Sequence, residues 1–261
     1  MTDFDYNFAH ILVDRPSPGV VLFTLNRPDR MNAANSALHA DLAALPRRLD
    51  RDEAAQVAVI TGAGRAFCVG GDYEDVADDA YEPKVRMMWE TIELVSGMVE
   101  ARKPMISAIN GAAAGAGLAV ALLADISIVS ETANLSDGHT RIGLAAGDHA
   151  ALIWPLLCGM AKAKRYLLTA DKITGLEAER IGLVSECAPA KEVLPRALAL
   201  AAHLAARPAA AVQLTKRALN GWLRQAMPAF ESSLGYEMVT AFAPDLAETV
   251  AKVTSRRAAS R

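Results

Sequence analysis

The stretch Lys103-Pro104-Met105-Ile106-Ser107-Ala108-Ile109-Asn110-Gly111-Ala112-Ala113-Ala114-Gly115-Ala116-Gly117 decides how this chain folds. From Met105 to Ala124 no residue is charged, a run of about the length that spans a bilayer. Ser107, Asn110 and the glycines Gly111, Gly115 and Gly117 fit another reading better: an apolar strand, a glycine turn and a buried helix. The pattern repeats outward. Val57–Thr61 is a second buried strand, ending at Gly62-Ala63-Gly64, and Ile126–Val129 a third. His10–Val13 and Val20–Leu25 read as a hairpin across Pro16, Pro18 and Gly19. Helical patterns cover Ser36–Leu49, capped by Asn32 or Asn35, then Val85–Glu100 and Gly117–Leu123. Strands alternating with helices predict an α/β core. After about residue 150 the patterns turn helical: Ala151–Leu157, Ala161–Thr169, Gly175–Ile181, Val193–Arg207, Ala210–Arg224 and the tail from Pro244 to Arg261.

The chain has 261 residues, of which 52% are hydrophobic, enough for one large domain. A net charge of −3 gives no basic patch for nucleic acid or an anionic membrane. Cys68, Cys158 and Cys187 are widely spaced; they read as free thiols in a reducing compartment, and no Cys/His cluster has metal-binding spacing. The acidic N-terminus has no long apolar run, so a cytoplasmic protein is expected.

Three segments carry a resemblance. Leu25-Asn26-Arg27-Pro28-Asp29-Arg30-Met31-Asn32-Ala33 forms one; Ile60-Thr61-Gly62-Ala63-Gly64-Arg65-Ala66-Phe67-Cys68-Val69-Gly70-Gly71-Asp72 forms another; the third is the opening stretch. They resemble the N-R-P-x-x-x-N-A, T-G-x-G-x-x-F-x-x-G-x-D and K-P-x-I-A-A-V-N-G-x-A-x-G-G-G motifs of the crotonase (enoyl-CoA hydratase/isomerase) superfamily. Ala124-Asp125 and Ala178–Val184 extend the match nearly end to end. The resemblance implies a spiral of β-β-α units over residues 1–200, then a C-terminal helical region over 201–261 that builds a homotrimer or hexamer. It implies a small-molecule acyl-CoA substrate, with coenzyme A as part of the substrate and no separate cofactor or metal.

A glycine turn that opens a helix presents backbone N–H groups without obstruction, in the positive field of the helix N-terminus. Two such turns facing one another can hold an oxygen that becomes negative, worth about 3–4 kcal/mol per donor. The resemblance implies that these donors are the N–H groups of Gly71 and Ala116. It also implies substrate contacts at Arg30, Ala33, Val69, Asp72, Gly115 and Ala119, with Arg256 of the tail reaching coenzyme A from a neighbouring subunit.

Both glutamates of the family's hydratases are replaced. One position is Ala119; the other is His139, in Ser136-Asp137-Gly138-His139. Imidazole suits proton transfer near neutrality, and Asp148 nine residues on is the expected partner, with Asp137 a second. The alternative use of Asp148 is to cap the helix from Ala150. The frame Gly143, Gly147, Asp148, Trp154, Pro155 resembles the 6-oxocamphor hydrolase branch, which cleaves carbon–carbon bonds in cyclic β-diketones, although the histidine that branch carries in the second oxyanion turn is absent from Ala114-Gly115-Ala116. His39 reads as a helix-surface or packing residue. The leading expectation is an enoyl-CoA hydratase-like lyase or isomerase with His139 in the place of a glutamate. The alternatives are a β-diketone hydrolase using a His139–Asp148 dyad, and a coenzyme A-binding protein with little activity.

Overall fold

Apolar runs separated by glycine corners build two sheets from alternate strands. A computed structural model describes residues 4–78 and 80–259, with side chains except at 254 and 256–259. β1 (Ile11–Ser17) and β2 (Val20–Leu25) form the expected hairpin. β1 runs past Pro16 because it is the sheet edge, where a missing N–H costs no ladder bond. α1 (Ser36–Arg51) is capped by Asn35, whose Oδ1 accepts from the Leu38 N–H at 3.1 Å.

Three paired strands follow. β3 (Val57–Gly62) leads to β4 (Ala66–Cys68), then to α2 (Tyr73–Ala77) and α3 (Tyr81–Glu100). β5 (Met105–Ile109) leads to β6 (Ala112–Ala114) and α4 (Ala116–Leu123). β7 (Ile126–Ser130) leads to β8 (Asn134–Ser136) and α5 (His139–Ile142). The first strand of each pair enters a six-stranded sheet of order β1-β2-β3-β5-β7-β10, and the second a four-stranded sheet of order β4-β6-β8-β9. The remaining elements are α6 (Ala150–Thr169), β9 (Ile173–Thr174), α7 (Gly175–Arg180), β10 (Glu186–Ala188), α8 (Val193–Ala205), α9 (Ala209–Leu219), α10 (Gly221–Ala241) and α11 (Leu246–Ala259). This is the mixed α/β spiral of β-β-α units.

The corners between sheets stack because Gly111 carries no side chain: a Cβ there would lie 2.1 Å from the Arg65 carbonyl oxygen of the turn above. Asparagines fasten the stack. Asn110 Nδ2 donates to the Gly62 and Gly64 carbonyls at 3.0 Å, and Asn32 Nδ2 to those of Ala63 and Ala66 at 2.9 Å. Asn32 is thereby committed to the corner and leaves the cap of α1 to Asn35. Strand alternation sets two cores: Val57 and Val59 face Val193, Ala197 and Ala201 of α8, while Ala58 and Ile60 face the larger core with Phe23, Leu38 and Leu42. Residue 200 lies inside α8, which covers one face of the large sheet.

The helical half departs from expectation in two places. The pair expected at Ala151–Leu157 and Ala161–Thr169 is the bent α6, broken where Gly159 takes φ 76° and ψ 153°. The single helix expected over Ala210–Arg224 divides at Asn220, whose Nδ2 donates to the Val99 carbonyl at 2.9 Å, and the following α10 extends to Ala241. Periodicity did not register this extension, since α10 exposes Tyr236 and Val239 while burying Phe230 and Leu234. No single helix among the described residues is long and apolar enough to cross a membrane.

Lys216 of α9 fastens the helical half to the sheet. Its Nζ donates to Asp125 at 2.8 Å and to the Lys103 carbonyl at 3.0 Å. Lys216→Met leaves the partly exposed Asp125 carboxylate with the Met105 N–H, at 2.8 Å, as its remaining partner. It should lower the unfolding free energy in urea by about 1–3 kcal/mol, and adding Asp125→Asn should recover much of the loss.

Candidate active site

Two backbone turns meet at the top of the small sheet. Gly70 has φ +91° and Gly115 φ +46°, both in the region that favours glycine. A Cβ on Gly115 would sit 3.4 Å from the Gly70 Cα and 3.8 Å from the His139 Cε1, so the turns touch one another and the imidazole. Ala34 pairs with Gly71 through Ala34 N–H to Gly70 O at 2.8 Å and Asp72 N–H to Ala34 O at 2.9 Å; in such a parallel bridge the Gly71 N–H points away from its partner strand. Ala116 is the first residue of α4, so its N–H has no acceptor within the helix. Gly71 and Ala116 line one cavity together with Val69, Gly115, Ala119, His139, Asp148 and Glu237.

One wall of this cavity concentrates charge. Asp137, 1% exposed, accepts from the His139 backbone N–H at 3.2 Å and meets His139 Nδ1 at 2.8 Å. This pair, closed by the tight turn after β8, is the hydrogen-bonded dyad of the site. The expected His139–Asp148 partnership is an ion-pair distance rather than a hydrogen bond: Asp148 lies 3.8 Å from His139 Nε2, beyond hydrogen-bond length. Asp148 instead holds His149 Nδ1 at 2.6 Å, and the Trp154 indole N–H donates to His149 Nε2 at 3.2 Å. Nor does Asp148 cap α6, which lacks a side-chain cap.

Sequence reasoning missed Glu237. Its Oε1 lies 3.7 Å from His139 Nε2, so the ring edge faces two carboxylates at nearly equal range. Glu237 arrives on α10, docked by Ser233 Oγ to the Gly147 carbonyl and by the Ala145 N–H to Thr240 Oγ1, each at 2.9 Å. Gly147 must be bare: a Cβ there would lie 2.4 Å from the Ser233 carbonyl oxygen and 2.6 Å from the Glu237 Cβ. The glycine of the Gly147-Asp148 frame therefore marks the docking of α10, a function that only the tertiary structure makes visible.

The carboxylates set the protonation of the site. Burial opposes a charge on His139, but Asp137, Asp148 and Glu237 outweigh it and hold its pKa well above the ordinary imidazole value. The three carboxylates thus favour the protonated imidazole over the neutral one. Burial also works against the Asp148 charge, yet His149 and His139 keep it well below the usual carboxylate range. Glu237 goes the other way: burial, reinforced by Asp148 and Asp137 against the pull of His139, pushes it up to about 7. For His149, burial disfavours charge while Asp148 favours it and raises the pKa. The indole of Trp154 is a donor only, so the ring in this arrangement keeps its Nε2 lone pair and is the neutral Nδ1–H tautomer.

Candidate metal-binding atoms do converge here, in contrast to their spacing along the chain. Asp137, Asp148 and His149, and likewise His139, Asp148 and Glu237, place ligand atoms within 4.8 Å of one another.

The other expected contacts scatter. Arg30 is exposed and paired with Glu74 at 3.0 Å. Asp72 caps α2 and meets Arg27 at 3.3 Å. Ala33 is buried, and its carbonyl accepts from Arg27. Arg256 falls on α11, with its side chain outside the described residues. His39, expected on the helix surface or in packing, is buried and lines the cavity.

The sequence profile of the enoyl-CoA hydratase/isomerase family matches residues 15–242. A Rhodobacter capsulatus protein named "Probable enoyl-CoA hydratase" is 38% identical over 213 residues, 82% of each chain. The 1,2-epoxyphenylacetyl-CoA isomerase of Escherichia coli is 34% identical over 206 residues, 77% of this chain and 79% of its own. The crystal structure of an enoyl-CoA hydratase/isomerase from Mycobacterium paratuberculosis is similar with a TM-score of 0.90 at 36% identity, covering 95% of this chain and 100% of its own.

The meeting of the two turns generates a test. Gly115→Ala places a side chain at φ +46° against Gly70, a strain of about 1–3 kcal/mol. If these turns aim the reacting oxygen's donors, kcat for an acyl-CoA substrate should fall by about 10²-fold or more in protein that still melts cooperatively.

Proposed function

The chain belongs to the enoyl-CoA hydratase/isomerase family, and from that premise we propose that it relocates a proton on an acyl-CoA thioester by way of an enolate. The Gly71 and Ala116 N–H groups receive the thioester oxygen. Glu237, with its pKa near 7, takes a proton from carbon as a carboxylate and returns it to another carbon. His139, kept charged by Asp137, stabilises the negative charge and can donate in turn. Proton, electron pair and double bond are conserved, so the net change is an isomerisation.

The observation that carries this reading is one-sidedness. The family's hydration chemistry places carboxylates at two positions, of which one is the buried Ala119 and cannot transfer a proton. Asp137, Asp148 and Glu237 gather instead around the His139 ring. A single proton shuttle suits isomerisation, whereas addition of water calls for a base and an acid placed around the water.

The cluster also favours a second reading. An imidazole between carboxylates can activate water, which supports cleavage of a β-diketone. Assays of 3-hexenoyl-CoA isomerisation, crotonyl-CoA hydration and cyclic β-diketone cleavage, run side by side, discriminate these readings; isomerisation should dominate, and diketone cleavage without thioester turnover would transfer the assignment to the hydrolase. Leu214, Leu219, Trp222 and Val239 are exposed on α9 and α10, which supports a homotrimer built through the C-terminal helices.

A base must be unprotonated to act, so kcat/KM should rise as pH increases through about 7. Glu237→Gln should abolish that limb and lower kcat by about 10²-fold or more with little change in KM. His139→Gln should likewise lose turnover far more than ligand affinity. Equal losses of turnover and affinity in both variants would assign the pair to pocket shape alone.

A further inference from the structure

The seam between α1 and α3 is apolar along most of its length, with Leu38, Leu42 and Leu45 against Leu94, Val95 and Met98. His39 and Glu90 interrupt it. His39 is 7% exposed, and its Nδ1 lies 2.7 Å from Glu90 Oε2. A carboxylate only accepts hydrogen bonds, so Nδ1 carries the proton and the orientation of the ring is set. Nε2 is the nitrogen left over. No hydrogen bond to it is made among the described residues, and it is not among the sealed, unpartnered atoms. The ring lines the cavity that holds Gly71, Ala116 and His139, and also the adjoining cavity that reaches Asp75 and Lys84.

The neighbouring groups on this wall are unsuited to polar recognition. Met87 and Leu94 are apolar, and the Thr91 hydroxyl donates back to the Met87 carbonyl at 2.9 Å. An imidazole held by a carboxylate in an apolar wall needs a partner for its free nitrogen, since a desolvated and unpaired nitrogen costs free energy. A plain alkyl chain provides none.

We propose that His39, oriented by Glu90, recognises an oxygen on the acyl chain, so that the substrate is a hydroxy- or oxo-substituted acyl-CoA rather than a simple alkyl one. This rests on the reading that the cavity takes an acyl-CoA. Neutral His39 accepts from a hydroxyl at Nε2; protonated, it donates to a carbonyl. His39 is thus a specificity residue, and Glu90, acting through it, a positioning residue.

The test compares dissociation constants of butyryl-CoA, 3-hydroxybutyryl-CoA and acetoacetyl-CoA, measured by calorimetry on the full chain. The natural protein should bind an oxygenated thioester about tenfold tighter than butyryl-CoA, the worth of one hydrogen bond. His39→Phe should bring that ratio to about one, and Glu90→Gln should lower it while His39→Gln retains part of it. Should His39→Phe fail to fold, the other two variants carry the test, with thermal melts confirming their folding. Equal affinities in the natural protein, or an equal loss for all three ligands on substitution, would reduce His39 and Glu90 to a packing pair and overturn the proposal. Failure of every thioester to bind the natural protein at millimolar concentration would instead overturn the acyl-CoA reading on which it rests.

Discussion

The absence of a side chain at Gly111 is the constraint from which the site follows. Only a bare Cα lets the corner after β5 lie against the Arg65 carbonyl of the corner after β3, and Asn110 then bonds the two corners together. With the corners in register, β6 pairs beside β4, and the turns that leave these strands come into contact at Gly70 and Gly115. In the proposed role as donors to a thioester oxygen, the Gly71 and Ala116 N–H groups would be held by backbone packing rather than by any side chain. Donors fixed in this way need little reorganisation when an oxygen beside them acquires charge, which is the condition under which they stabilise it most.

Against this rigid backbone feature stands a group of buried charges whose protons are shared. Asp137, Asp148 and Glu237 surround His139, and a third negative charge beside two others is disfavoured in so dry a setting. The carboxylates raise the His139 pKa, and burial pushes that of Glu237 up to about 7. Asp148 stays ionised with His149 and Trp154 behind it. Residues of the same acidic type, Asp148 and Glu237, are thereby shifted in opposite directions.

Much of this was legible in the sequence. The buried strands β3, β5 and β7, the glycine turns and the position of His139 are encoded in contiguous residues, where local patterns are informative. The three-residue strands β4, β6 and β8 were not, because each is too short to show a period and exists only through pairing with its neighbours. Glu237 was hidden for a different reason. It lies on a helix that exposes apolar residues and far along the chain from His139, and nothing local separates it from the many surface glutamates. Asp137 was named as a possible partner of His139, but the choice between it and Asp148 depended on which carboxylate the turn after β8 brings to Nδ1. Gly147 was read as part of a motif, and its purpose emerged only with α10 packed against it.

A crystal structure of the protein with acetoacetyl-CoA would test the central claim most directly. The thioester oxygen should lie about 2.7–3.1 Å from both the Gly71 and Ala116 nitrogens, with the Glu237 carboxyl facing the carbon next to that carbonyl. A thioester oxygen bound away from those two nitrogens, or a reacting carbon turned to Ala119 and away from Glu237, would contradict it.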